Sequence, residues 1–193
     1  VSNDADNTIC AGSSVTFTAA PSGAANYNFR VDGVSVLNSA SNTYTTSALT
    51  NGNVVDVIVT TAAGCVDAST GITMTVNPAI VATLSSSDAD NTICAGASVT
   101  FTAAPAGAAT YDFRVNGVSV VSSASNIYTT STLTTGSVVD VVVTTAAGCV
   151  STSTGITTTV NPLPIATIVS NDADNTICAG SSVTFTAAPS GAA

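Results

Sequence analysis

The sequence predicts an all-β chain of tandem antiparallel sandwiches, and three observations lead there. The first is composition: Val, Ile and Thr abound, whereas Glu, Lys, Gln, His and Trp are missing and only two Arg occur. The strong helix formers are therefore nearly absent, and the residues that suit a pleated strand dominate. The second is a repeat. The string DADNTICAG begins at Asp4, Asp88 and Asp172, two steps of 84 residues (88 − 4 and 172 − 88). The third is alternation, as where Val15, Phe17 and Ala19 interleave with Thr16 and Thr18, the two-residue period of a half-buried strand.

Each element of one unit follows in order. Opening strands precede the Asp motif at Ile80–Leu84 and Ile165–Val169, and the first unit has no counterpart. After the Val15 strand comes FRVDGVSV, in which Asp32-Gly33 is a two-residue type I′ hairpin signal. That turn pairs Val31 with Val34 and Phe29 with Val36, placing these four and Tyr27 on one face and Asn28, Arg30 and Ser35 on the other. A Tyr/Thr-rich segment from Tyr44 to Leu49 leads to a turn at Asn51-Gly52. Val55, Val57 and Val59 then point inward, with Asp56 and Thr60 outward. The last strand sets Ile72, Met74 and Val76 against Thr73 and Thr75. About seven short strands, with turn signals every 8 to 12 residues or so, describe an Ig-like antiparallel β-sandwich.

At 84 residues each unit is long enough for a small core of its own, which favours beads on a string over a solenoid. Asn77-Pro78 ends one unit and Asn161-Pro162-Leu163-Pro164 the next, short Pro-stiffened links that suit a semi-rigid rod. The expected organisation is an Ig-like repeat lacking its first strand over 1–78, a complete repeat over 79–162, and a partial third over 163–193 with only its first strands. Val169–Ala193 repeats Val1–Ala25 letter for letter, so the sequence reads as a window cut from a longer array.

Charge narrows the function classes. Charged residues are 7% of the chain and the net charge is −9, from eleven Asp against two Arg. Nothing here neutralises a row of phosphates, which argues against nucleic acid. No apolar run approaches the roughly 18 residues of a membrane-spanning helix. With no His, Lys or Glu, no Ser or Cys nucleophile has an ordinary base beside it, so no catalytic residue is assigned and an enzyme is not expected.

Five cysteines follow the repeat. Cys10 and Cys65 are 55 residues apart (65 − 10), as are Cys94 and Cys149 (149 − 94), and Cys178 starts a third pair whose partner lies outside the sequence. One pair per unit at a fixed spacing predicts intra-unit disulfides, Cys10 with Cys65 and Cys94 with Cys149, in an oxidising extracellular compartment. A loop of that size implies stabilisation of about 4 kcal/mol in the chain-entropy model. Metal binding would need clustered Cys or His ligands, and a redox site would want CxxC; neither occurs.

Two other constellations stand out. Asp4, Asp6 and Asn7 recur as Asp88, Asp90, Asn91 and as Asp172, Asp174, Asn175. Two carboxylates beside an amide oxygen suit calcium, the one cofactor the sequence raises, while the competing reading is a polar Asx-type turn ahead of Cys10. Arg30 and Asp56 are expected as an outward-facing cross-strand pair, repeated by Arg114 and Asp140.

The pattern TICAGSSVTFTA, an FRVDG hairpin and VVDVIVTTAAGC resembles the Ig-like or PKD-like tandem repeats of giant secreted surface proteins from type IX-secreting gliding bacteria. That resemblance covers the whole chain and implies a mechanical and display role in an adhesin, stalk or cell-surface filament. The outward strand faces carry Thr, Ser, Asn and Ala with almost no charge, the reverse of how soluble modules discourage sheet-to-sheet association. The expected function is therefore a structural repeat of an extracellular filament or adhesin stalk. Its partners would be neighbouring repeats and other copies of itself. The alternative is a glycan- or surface-binding Ig-like adhesion module.

Overall fold

The structure, a computed structural model, describes residues 1–188; the last residues of the third unit, 189–193, lie outside the described residues. The first sandwich contains β1 (Thr8–Cys10), β2 (Val15–Thr18), β3 (Asn26–Val31), β4 (Val34–Ser39), β5 (Thr43–Thr46), β6 (Val54–Thr60), β7 (Val66–Ala68), β8 (Ile72–Thr73) and β9 (Thr75–Asn77). One layer is the sheet β4-β3-β6-β7, with β8 also on β6. Facing it is the pair β2-β5, and β1 and β9 form a parallel pair of their own. Every strand of β1–β9 is antiparallel to its partner except that last pair.

Alternation delivers the core. Val15, Phe17 and Ala19 from one layer meet Tyr27, Phe29, Val55, Val57 and Val59 from the other, all buried. Tyr44 packs between the two layers, its ring 6.3 Å from Phe17 and 5.7 Å from Phe29. The Tyr27 hydroxyl donates to the Pro21 carbonyl at 2.6 Å and accepts from the Ala24 amide, which pins the loop ahead of β3.

The hairpin differs from the expected register. Val31 opposes Val34, but Phe29 opposes Leu37 rather than Val36, because the ladder shifts between Phe29 and Arg30. Val36 is the extra residue of a β-bulge, and one added residue turns every later side chain to the opposite face. Leu37 thus packs against the core, Val36 faces solvent at 44% exposure, and Val34 beside the turn is 68% exposed. The same shift recurs 84 residues on, where Phe113 opposes Val121 and Val120 is exposed.

The final strand serves two partners. Ile72-Thr73 pairs with β6, the Met74 amide donates to the Asn53 carbonyl just ahead of β6, and Thr75–Asn77 pairs with β1, with Ile72, Met74 and Val76 kept on the core side.

The second sandwich contains β10 (Thr83–Ser86), β11 (Thr92–Cys94), β12 (Val99–Ala104), β13 (Thr110–Val115), β14 (Val118–Ser123), β15 (Ile127–Thr130), β16 (Val138–Thr144), β17 (Val150–Thr152), β18 (Ile156–Thr157) and β19 (Thr159–Asn161). Its layers are β14-β13-β16-β17 with β18 and, facing it, β10-β12-β15, with β11 and β19 again a parallel pair of their own. Thr8 and Thr92, the starts of β1 and β11, are 84 residues apart (92 − 8). The strand missing from the first sandwich is β10. Beyond it, β20 (Thr167–Ser170) and β21 (Phe185–Ala188) form an isolated two-stranded ribbon whose Ile168, Val169 and Phe185 remain exposed.

Strand direction alternates along the chain, so β1, β3 and β5 finish at one end of the sandwich and β2, β4 and β6 at the other. The Asp32 amide donates to the Val54 carbonyl, and the Gly52 amide to Met74, which gathers the hairpin turn, the start of β6 and the start of β9 at the end from which the chain leaves. Cys10 lies at this exit end, opposite Asn77. The arrival end holds the end of β6, the turn before β7 and the loop that Tyr27 pins.

Candidate functional site at the junction

The junction is built from two turns. At the exit end of the first sandwich, Cys10 closes β1. The Ala11 amide donates to the Asn77 carbonyl at 2.8 Å, and the Ser13 amide donates back to the Cys10 carbonyl, with Gly12 at φ +83° supplying the left-handed turn. At the arrival end of the second, Thr145–Cys149 forms a tight loop. The Thr145 amide donates to the Cys149 carbonyl, the Cys149 amide to the Thr145 hydroxyl at 3.0 Å, and Gly148 turns at φ +77°. The chain crosses between them through Pro78, Ala79 and Ile80, and a cavity of about 480 Å³ lies where these pieces meet.

Here Cys10 and Cys149 form a disulfide, with Cα atoms 5.6 Å apart and 139 residues between them in sequence. This corrects the expected pairing of Cys10 with Cys65 and of Cys94 with Cys149. The reason is geometric. Cys10 ends β1 at the exit end, whereas Cys65 follows β6 at the arrival end of the same sandwich. The seven residues of β6 alone separate those ends by about 20 Å at roughly 3.3 Å per residue, and a disulfide tolerates a Cα separation of only about 4.4–6.8 Å. Cys65, Cys94 and Cys178 carry free thiols and are exposed. Cys149 is 2% exposed, so the bond removes from solvent a position that is open at its counterpart Cys65.

The Asp motif prepares the exit end. The Thr8 amide donates to both Asp4 Oδ1 (2.9 Å) and Asp6 Oδ1 (3.0 Å), and the Thr75 amide donates to the carbonyl of Asn7, which sits at φ 56°. Asp88 and Asp90 treat Thr92 the same way, and Asp172 and Asp174 treat Thr176 likewise. The motif bends the chain from the sheet of β10 and β12 to that of β11 and β19, and so aims Cys10 and Cys94 at the exit end. Hydrogen bonding holds two carboxyls below the usual carboxylate range: for Asp4 chiefly the Thr8 amide, then Asp6; for Asp88 chiefly Asp90, then the Thr92 amide. Among the described residues no group of three or more His, Cys, Asp or Glu side chains gathers to hold a metal ion. Asn91 Oδ1 is buried without a hydrogen-bond partner, and Asn175 stands at the equivalent φ of 59°.

Arg30 and Asp56 lie directly opposite on β3 and β6, with Nε–Oδ1 at 2.6 Å and Nη2–Oδ2 at 2.9 Å; Arg114 meets Asp140 through Nε alone at 2.6 Å. The Asp56 hydrogen bond raises the Arg30 pKa further. Arg30 stands one residue before Val31 and the hairpin turn at the exit end, and each pair ties the two central strands of its sheet. A second cavity, of about 610 Å³, opens on the first sandwich over Val1, Phe17, Phe29, Val55 and Cys65. Repeat spacing picks out Cys10, Cys149 and Cys65, but neither the bond across the junction nor the groove.

The architecture defines an all-β chain of tandem Ig-like sandwiches. No family model matches the sequence, and no curated protein does. Among solved structures the chain is similar to a marsupial T cell receptor, at 13% identity and a TM-score of 0.52 over 89% of this chain and 77% of that one. It is also similar to the fibronectin(III)-like modules of Clostridium thermocellum CbhA, at 13% identity and a TM-score of 0.45 over 79% and 89%. At such identities the first likeness speaks to fold alone and agrees with the Ig-like sandwich; the second adds no argument. No helix among the described residues is long and apolar enough to cross a membrane.

Proposed function

We propose that this chain is a load-bearing structural segment of an extracellular stalk or filament at a cell surface, one that associates with copies of itself and has no catalytic role. The observation that carries the reading is the bond between Cys10 and Cys149, which joins successive sandwiches a second time beside the Pro78 connection. Two covalent links between neighbours restrict bending and twisting far more than one. Near-identical units and outward faces poor in charge favour a repeated structural element over an array of ligand-specific modules. A disulfide also fits an oxidising compartment, and the resemblance to secreted surface repeats points the same way.

Small-angle scattering of the oxidised and the reduced chain tests this. Oxidised protein should give one narrow distribution of maximum dimension, and reduction should broaden it by freeing the junction. Equal breadth in both states would remove the mechanical role. A specific glycan-array hit abolished by loop substitutions would instead support an adhesion module.

A further inference from the structure

We infer that the outer edges of β4 and β14 are the surfaces through which copies of this chain associate, each pairing antiparallel with the same edge of a second copy. The inference rests on the self-associating reading above and specifies where copies meet. Both strands close a multi-stranded sheet. The order is β4-β3-β6-β7 in one sandwich and β14-β13-β16-β17 in the other, so among the described residues each has a neighbour on one side only. Such a strand presents a row of unpaired amides and carbonyls, which a further strand satisfies.

Soluble proteins guard a long edge with a charge, a Pro or a bulge. Here the six residues VSVLNS and VSVVSS contain neither charge nor Pro. The bulge is present in both, but the residue it turns outward is Val36 in one sandwich and Val120 in the other. Each is 44% exposed, beside the still more exposed Val34 and Val118. The bulge therefore adds apolar surface to the edge where a guarded edge would carry Lys. The opposite edges are shorter: β7 and β17 have three residues each, and β7 carries Asp67.

Charge selects the occupant and its direction. A net charge of −9 opposes contact between copies, and neither edge strand carries an acid. Asp112, which accepts from the Ser119 hydroxyl, stands one strand further in. Asp32 sits in the turn just ahead of β4. Parallel pairing would bring the Asp32 carboxylates of two copies together. Antiparallel pairing sets them at opposite ends of the ladder, about 20 Å apart at roughly 3.4 Å per residue, beyond the ~8 Å screening length of physiological salt. A two-fold axis then passes near Val36, which meets the apolar middle of the facing strand. One ladder of this length falls short of the roughly 1,200 Å² that a standard interface buries, so a single contact is weak. Val34 and Val118 lie 84 residues apart (118 − 34), so the edge recurs with the repeat and each chain carries it twice.

The test is sedimentation equilibrium of the full chain, with free thiols blocked and the Cys10–Cys149 bond intact, at physiological salt and up to about 1 mM protein, the range in which so small a contact associates. The parent's average mass should rise with concentration. Val36→Lys with Val120→Lys should weaken association about tenfold, because each Lys stands beside its own copy at the two-fold axis. Val66→Lys with Val150→Lys places the same two charges on exposed positions of the opposite edges and should leave association unchanged. Both variants lower the net negative charge equally, so a difference between them reads the edge and not general repulsion. Hydrogen exchange compared at high and low concentration should slow in β4 and β14 and nowhere else. Association that survives Val36→Lys with Val120→Lys, an equal loss in the other variant, or protection elsewhere would overturn the edge while leaving self-association in place. A parent that stays monomeric throughout would overturn both the edge and self-association; a narrow scattering distribution for the oxidised monomer would still keep the load-bearing role.

Discussion

The two sandwiches are near-copies in sequence, and their β2 and β12 edges differ by the segment ahead of the Asp motif. In the second, β12 is six residues long and lies between β10 and β15. In the first, β2 has four residues, pairs with β5, and meets the start of the chain through the single bridge from Ser2 to Phe17. The difference is one segment. Ala82 is 6% exposed with Ile80 and Leu84 packed beside it, and the corresponding space in the first sandwich is the cavity of about 610 Å³. A sandwich of this kind thus receives part of its core from the stretch that arrives across the junction, so closing the core and joining the neighbour are tasks of one element. A second contrast lies between β8 and β9, where buried Met74 is replaced in the second sandwich by Thr158, whose hydroxyl donates to the Ser137 carbonyl at 3.2 Å.

The largest expected effect comes from cutting the staple. Cys10→Ser releases a closed loop of 139 residues and should cost about 5 kcal/mol in the chain-entropy model. It should also split one unfolding transition into two, because the sandwiches are then joined only through the Pro78 connection, which calorimetry reads directly. Next, Phe113→Ala should destabilise the second sandwich by about 3–5 kcal/mol. Phe29→Ala should cost the first roughly 1 kcal/mol less, because that ring already borders an opening and leaves less new void. Equal costs in denaturant titrations would break the comparison. Met74→Thr is smaller, about 2 kcal/mol, since it removes buried apolar volume and asks a hydroxyl to find the partner that Ser137 provides in the other unit.

The smallest effect is on pH. Asp4 and Asp88 titrate below their ordinary value in the folded chain. Their contribution is therefore present above the unfolded carboxylate pKa and is lost as pH falls through the lowered one. Thermal midpoints should drop on acidification, and the drop should be shallower in Asp4→Asn with Asp88→Asn. Because these oxygens hold the Thr8 and Thr92 amides, calcium and a chelator should leave the midpoint unchanged; a calcium-dependent rise would make the motif an ion site.

Much of this fold is visible in local pattern. Strand alternation places Phe17, Tyr27, Phe29 and Val57 inside, and it puts Arg30 and Asp56 on the outward face of neighbouring strands, because a two-residue period needs no distant information. The bulge at Val36 was not legible, since an extra residue leaves the alternating letters unchanged while reversing their faces. Cysteine pairing failed for a different reason. Equal spacing says which cysteines belong to one unit but not which end of the sandwich each occupies. Strand parity does carry that signal: Cys10 closes the first strand and Cys65 follows the sixth, and in an alternating chain odd and even strands finish at opposite ends.

The staple itself is open to one direct measurement. Arg30 and Arg114 are the chain's two tryptic sites, so thiol-blocked monomer, unfolded and digested without reduction, yields residues 1–30, 31–114 and 115–193. A bond from Cys10 to Cys149 leaves 1–30 joined to 115–193 and releases 31–114, carrying blocked Cys65 and Cys94, as a free peptide. Bonds within each unit, Cys10 to Cys65 and Cys94 to Cys149, would hold all three fragments in one species and contradict the stapled junction.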